Sequence, residues 1–202
     1  MAMEIAARKR EIRKQAHANR RLQADKDQLS RQILTKFMAL PEYQRAAAVM
    51  FYVDVGAEVR TRDGLEQALT SGKRIVVPYC VAGELKLFHL EQMAELEAGS
   101  YRVLEPKQQL RNIARKRERV EQLDLIMVPG VAFDHRGARI GHGEAYYDKL
   151  LQHATRRTAL VALAFECQLF AEIPTEPHDV FMDKIVTENT WYAGRGRNSR
   201  PG

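Results

Sequence analysis

The chain has 202 residues, 45% hydrophobic and 29% charged, which allows one substantial core with at most an appended lobe. No apolar run approaches the roughly 18 residues of a membrane span. The start, MAMEIAARKREIRKQ, shows neither a continuous apolar segment nor a small-residue cleavage site, so no membrane association and a cytoplasmic location are expected. The net charge of +6 suits an anionic ligand such as a nucleotide or polycarboxylate, and suits RNA as well; it concentrates in residues 8–21, 111–119 and 195–202.

From Glu4 to about Leu40, apolar residues recur at three- and four-residue steps (Ile5, Ile12, Leu22, Leu29, Ile33, Phe37), predicting two helices separated near ADKDQ and stopped by Pro41. AAAVMFYVDV (46–55) is a near-continuous apolar run with β-branched and aromatic residues, the pattern of a strand buried on both faces. TRDGLEQALTSG (61–72) predicts a helix with Thr61 as N-cap and Gly72 as its stop. KRIVVPYC reads as a second buried strand and GELKLFHL, which alternates, as a half-exposed one. Residues 107–121 form a basic helix or loop, LDLIMVPG (123–130) is the clearest strand, and GEAYYDKLLQHA (143–154) reads as a helix. TALVALAF (158–165) and DKIVTE (183–188) complete the strands.

This order predicts an α/β layered fold with a mainly parallel sheet flanked by helices, preceded by an N-terminal helical segment. Residues 1–192 make a single domain, and 193–202, with glycine, serine and proline but no apolar anchor, a disordered basic tail. Cys80 and Cys167, each among apolar neighbours and far from another thiol, read as buried free thiols. The six histidines show no zinc-ligand spacing, and His178 beside Asp179 suggests a local hydrogen bond.

In such sheets ligands gather at the carboxyl ends of strands, which draws attention to RIGHGEAYYDKL (139–150). A dinucleotide fingerprint fails, because the third glycine position is Tyr146 and about ten residues separate the strand from Gly141. The Walker pattern fails too, since Lys149 follows Asp148 and precedes no Ser or Thr. Two readings stay open. Gly141 and Gly143 can bring backbone amides close to a phosphate with Asp148 as an oxygen ligand for Mg²⁺, or the stretch is an ordinary glycine turn with Asp148 complementing a helix dipole.

DLIMVPGVAFDHRGARIGHGEAYYDKLL closely resembles the C-terminal hallmark of the 5-formyltetrahydrofolate cyclo-ligase family: a hydrophobic strand, V-P-G-x-A-F-D, a short turn, then R-[LI]-G-x-G-x-G-[YF]-Y-D. KREIR (9–13), AEVRT (57–61), LEP (104–106) and AFECQLFAEIPTEPHDVFMDKIVTE (164–188) extend the resemblance from Lys9 to Glu188. It implies an enzyme that uses ATP and Mg²⁺ to convert 5-formyltetrahydrofolate to 5,10-methenyltetrahydrofolate, through phosphorylation of the formyl oxygen and ring closure. It also implies that Lys9 and Arg13 reach the nucleotide phosphates, and that residues 139–147, with Arg139, Gly141, His142, Gly143, Glu144, Ala145, Tyr146 and Tyr147, build the ATP site. Arg13, Arg139 and Tyr147 would be the catalytic set, Asp148 and Asp183 would hold Mg²⁺, and Glu58, with Tyr52 packing beside it, would bind the pterin. The basic segment at 107–119 could attract a polyglutamyl tail on the folate.

The chain departs from the pattern at one place: Ala145 stands where the family has its third glycine, behind Glu144. That keeps a second reading open, a folate-binding relative with weakened catalysis or another substrate. Against a basic nucleic-acid-binding module stands the lack of aromatic residues interleaved with the cations and of any RNA-binding motif. A small-molecule partner and a monomer are the expectation.

Overall fold

The structure, a computed structural model, describes residues 2–99, 103–177 and 179–197. Three helices come first: α1 (Ala2–Leu22), α2 (Lys26–Ala39) and α3 (Pro41–Arg45). Asp25, with φ 52°, makes the break between α1 and α2, and Pro41 opens α3 at a position where its missing N–H is harmless. Then come β1 (Ala48–Met50), α4 (Arg62–Leu69), β2 (Arg74–Val81), β3 (Glu84–Leu90), β4 (Leu96–Ala98), β5 (Leu104–Pro106) and β6 (Arg117–Glu118). The remainder is β7 (Leu125–Val128), β8 (Ala132–Asp134), β9 (Arg139–Ile140), α5 (Tyr146–Gln152), β10 (Ala159–Leu163), β11 (Leu169–Phe170), β12 (Lys184–Val186) and β13 (Trp191–Ala193).

Eight strands form the main sheet in the order β13-β12-β10-β7-β1-β2-β3-β6. The five in the middle, β12 to β2, run parallel, and the antiparallel strands lie at the two edges. The period of two along each strand sorts the core into two faces. Val49, Ile75, Val77, Leu125, Met127, Val161 and Leu163 pack with Ile33, Leu34 and Phe37 of α2 and Leu65 and Ala68 of α4. Met50, Val76, Ile126, Val128, Leu160 and Ala162 pack on the other side with Leu151 of α5. The expected α/β layered architecture with a mainly parallel sheet is therefore the one observed. Among the described residues no helix is long and apolar enough to cross a membrane.

A smaller sheet, β11-β8-β9, carries α1, which seats Ile12 and Ala16 against Val131, Ala132, Ala138, Ile140 and Ile173. Those two apolar contacts fix the rotation of α1 about its axis. Lys9, Arg13, His17 and Arg20, at three- and four-residue steps, consequently share a face turned toward the loops that leave the main sheet.

Four expectations are corrected. The strand read at 46–55 pairs only over Ala48–Met50, because Tyr52, Asp54 and Thr61 draw the following residues into a hydrogen-bonded loop. Thr61 sits at the N-cap position of α4 but makes no side-chain cap; its hydroxyl donates to the Tyr52 carbonyl at 2.7 Å. Cys80 is exposed and Cys167 only half-buried. The disordered tail does not begin at 193, since Ala193 ends β13, the Arg195 amide donates to the Arg136 carbonyl at 2.7 Å, and the Arg197 guanidinium donates to the carbonyls of Ala154 and Thr158. Residues 198–202 of that tail lie outside the described residues.

Candidate functional site

The loops at the carboxyl ends of β1 and β7, the loop after β9, and the basic face of α1 converge on one place. After β1 the chain turns back on itself: the buried Tyr52 hydroxyl donates to the Val59 carbonyl at 3.1 Å, and Asp54 accepts the Thr61 amide at 2.9 Å. This presents Glu58, a carboxylate only 6% exposed. Its Oε2 accepts the Val55 amide at 3.1 Å, and its Oε1 lies 3.1 Å from His142 Nε2. Burial pushes the Tyr52 phenol well up, with the Glu58 and Asp54 charges adding to the effect.

After β9 comes the glycine loop. Arg139, 8% exposed, donates from Nη1 to the Pro129 carbonyl at 3.2 Å and from Nη2 to Asp148 Oδ1 at 2.5 Å, with its guanidinium 5.9 Å from the Tyr147 ring. Arg13 Nε donates to the Gly141 carbonyl at 2.9 Å, tying α1 to the loop. Gly141 leaves room for Arg139, whose Nη1 would stand 3.0 Å from a Cβ there, and Gly143 adopts φ +115°, which side chains rarely take. Ala145 takes the left-handed conformation, φ 54° and ψ 16°, that the glycine of the family pattern provides without strain. As a result α5 starts at Tyr146, three residues later than expected, and is seven residues long. Any anion here meets loop amides and guanidinium groups rather than a long helix terminus. Glu144 is exposed beside them. Burial, with the Glu58 charge second, raises the Tyr147 phenol far above its ordinary range, so it is a hydrogen-bond donor at neutral pH.

Lys9 lies one turn before Arg13, but its ammonium is held by Asp179 Oδ2 at 2.7 Å and Glu176 Oε2 at 3.1 Å. Burial pulls its pKa down, yet the two carboxylates outweigh this and the net shift is upward. A phosphate would have to compete with them. His178, next to this pair, lies outside the described residues.

The proposed metal pair does not form. Asp183 precedes β12, at the amino end of the parallel strands, where its Oδ2 accepts the Leu160 amide at 2.7 Å. Burial raises its pKa, the Leu160 amide opposing, so its environment disfavours the charge a cation needs. Asp148 is at the other end. Among the described residues no group of three or more His, Cys, Asp or Glu side chains could hold a metal ion. Asp148, with one oxygen on Arg139, is a single carboxylate, a number that suits a Mg²⁺ carried in by nucleotide phosphates.

The basic segment at 107–119 is largely neutralised by its own surroundings. Lys116, 1% exposed, contacts Glu91 and Glu95, Arg111 pairs with Glu105 at 3.0 Å, and Arg115 with Glu91 at 2.8 Å. This is a folded substructure on β3, β4 and β5, with Arg115 and Arg119 still exposed on its surface.

The sequence reading passes over two residues. The His17 ring lies 5.8 Å from that of His142, tilted by 41°, and the buried Arg20 contacts His17 and lies 3.4 Å from the Gly130 carbonyl. The signal for them was the 9-13-17-20 spacing on a helix whose charged face reads as solvated.

The comparisons agree with the resemblance. A family model described as the 5-formyltetrahydrofolate cyclo-ligase family matches residues 5–188. The 5-formyltetrahydrofolate cyclo-ligase of Escherichia coli K12 is 30% identical over 79% of this chain and 88% of its own length. The mouse enzyme of the same name is 26% identical over 94% of this chain and 98% of its own. Among solved structures, a 5,10-methenyltetrahydrofolate synthetase from Aquifex aeolicus superposes with a TM-score of 0.79 at 29% identity, covering 96% of each chain. With strand order, glycine loop and family model in agreement, this chain belongs to the 5-formyltetrahydrofolate cyclo-ligase family, a family of ligases.

Proposed function

We propose that the protein converts 5-formyltetrahydrofolate to 5,10-methenyltetrahydrofolate with Mg-ATP as co-substrate, releasing ADP and phosphate. The observation that carries this reading is the glycine loop itself. Arg13 donates to its Gly141 carbonyl, Arg139 lies against Gly141 while bonded to Asp148, and His142 of the same loop reaches Glu58. Residues fit for phosphate and a carboxylate fit for the pterin thus form one constellation, in a chain of this family.

The formyl oxygen is a poor leaving group and has to be activated. Its lone pair attacks the γ-phosphorus, forming an O–P bond as the bond to the β-phosphate oxygen breaks and ADP departs. The second nitrogen of the folate then attacks the formyl carbon, loses its proton to solvent, and the C–O bond breaks to release phosphate. Charge accumulates on phosphoryl oxygens in the first step and on the departing phosphate in the second. Arg13 and Arg139 place guanidinium groups beside the loop, the amides around Gly141 and Gly143 add close donors, and Tyr147 offers a neutral O–H. Lys9 joins once it leaves Glu176 and Asp179. Asp148 orients Arg139 and is the carboxylate available to nucleotide-borne Mg²⁺. Glu58 accepts the N–H groups of the pterin, and Tyr52 acts through the loop that presents Glu58.

The strained Ala145 favours a second reading, a folate-binding relative with impaired turnover. Stoichiometry separates the two: one ADP per methenyl product supports the cyclo-ligase reading, whereas folate binding without ADP release supports the other.

A further inference from the structure

Arg20 is 3% exposed, and among the described residues no carboxylate is hydrogen-bonded to it. Its Nη1 donates at 3.4 Å to the Gly130 carbonyl, which already accepts Gln168 Nε2 at 3.0 Å. Its Nη2 lies 3.3 Å from His17 Nδ1, and its Nε has no partner among the described residues. Both contacts are long and involve weak or shared acceptors. A guanidinium does not give up its proton in a protein, so among the described residues this is a buried charge without a bonded counter-ion, an arrangement that folding alone disfavours. Burial draws its pKa down, and the Glu58 carboxylate, followed by Tyr52, opposes this most.

The stem of Arg20 is fixed by α1, and its head connects to Glu58 through two rings: Nη2 lies 3.3 Å from His17 Nδ1, the His17 and His142 ring centroids are 5.8 Å apart, and His142 Nε2 lies 3.1 Å from Glu58 Oε1. Of these, the His142 side chain is 48% exposed and rests on Glu58 Oε1. Glu58, the largest charge acting on Arg20, and the Arg20 guanidinium thus put an acceptor and a donor at the same end of the sheet, with the half-exposed His142 ring resting on the acceptor. The pyrimidine edge of a folate shows the complementary pattern: an amino group and a ring N–H that donate, then a 4-oxo oxygen that accepts.

We propose that Arg20 is a substrate-binding residue that reads the 4-oxo group of the pterin while Glu58 takes the adjoining N–H donors. This rests on the cyclo-ligase reading above and adds the residue that sets its specificity. As the pterin enters, His142 yields Oε1 of Glu58, and the free Nε–H of Arg20 gains its acceptor. A 2,4-diamino analogue would put a donor against the cation and be rejected.

The test measures inhibition of wild type, Arg20→Met and Arg20→Lys by a 4-oxo folate analogue and by its 2,4-diamino counterpart, with KM for 5-formyltetrahydrofolate and for ATP. Wild type should favour the 4-oxo compound by about tenfold or more, the scale of one charge-assisted hydrogen bond. Arg20→Met should lose that preference and raise the folate KM by about the same factor with the ATP KM unchanged, and Arg20→Lys should restore part of it. A preference unchanged in Arg20→Met, or a change confined to the ATP KM, would overturn the proposal. If Arg20→Met fails to fold, as its thermal midpoint would reveal, Arg20→Lys against Arg20→Gln carries the same comparison. Wild type that neither turns over nor binds the folate would fail before any variant is made, and would remove the cyclo-ligase reading itself.

Discussion

The two ends of the central sheet handle charge in opposite ways. At the amino ends, carboxylates are committed to the chain: Asp124 Oδ2 accepts the amides of Ala47 and Ala48 at 2.8 and 2.9 Å, and Asp183 Oδ2 that of Leu160 at 2.7 Å. Arg197, though its Nε lacks a partner among the described residues, places both amino groups on backbone carbonyls. At the carboxyl ends, Arg20 and Arg139 keep buried Nε groups without partners among the described residues, Glu58 faces a histidine, and Ala145 holds a strained angle. Both ends hold buried polar atoms without a partner among the described residues, Glu42 Oε2 and Arg197 Nε included, but at the carboxyl end they belong to guanidinium groups grouped with Glu58, His142 and the glycine loop, which is the end organised for a ligand.

The sharpest way to break this comparison is to treat Asp148 and Asp183 alike. Asp148→Asn should lower turnover on the order of 100-fold, the scale seen when an oriented charge is removed from a phosphoryl or oxyanion site. Asp183→Asn should leave it within about twofold, because the amide oxygen can still accept the Leu160 N–H and a desolvated charge is removed. Initial rates over a range of Mg²⁺ concentrations decide it, and equal losses would put the two ends on the same footing.

Lys9→Ala should raise the apparent KM for ATP by about tenfold with little change in folate KM. An unchanged ATP KM would mean that Lys9 only braces Glu176 and Asp179. A smaller effect is expected at Ala145. Ala145→Gly should stabilise the fold by about 1 kcal/mol, since the left-handed angle is strained for alanine, and should lower the ATP KM severalfold. Thermal denaturation and initial rates check it, and a drop in stability would show that the angle is not held in solution.

The smallest effect concerns pH. Burial, then the charges of Arg20, His142, Arg21 and Arg13, depress the His17 pKa below 6.5. The folded protein therefore resists a proton that the unfolded chain accepts. The stabilisation is full above pH 6.5 and diminishes as pH falls through the depressed value. His17→Gln should flatten the thermal midpoint between pH 7 and pH 5 relative to wild type.

Much of the architecture was readable because period and length coincide with structure: the strands at Leu125–Val128 and Ala159–Leu163 are apolar on both faces since both faces are covered. Residues 51–55 misled because they are equally apolar, but their burial comes from a folded-back loop, which pattern alone does not distinguish from a strand. The glycine loop was legible from RIGHGEAYYD, and Ala145 marked its strained position. Asp183 was misassigned although the clue was present: it precedes its strand, and so belongs to the amino end, while ligands gather at the other. Arg20 and His17 escaped because only the seating of Ile12 and Ala16 decides that their face of α1 turns inward.

The central claim is that the carboxyl-end constellation carries out ATP-dependent cyclisation of a folate. The most direct measurement is the ultraviolet absorbance of the methenyl product as wild-type protein and Asp148→Asn are each mixed with 5-formyltetrahydrofolate and Mg-ATP. Product that forms in wild type only when ATP is present, and on the order of 100-fold more slowly in Asp148→Asn, is the result predicted. No product in wild type, or equal rates in both proteins, would contradict it.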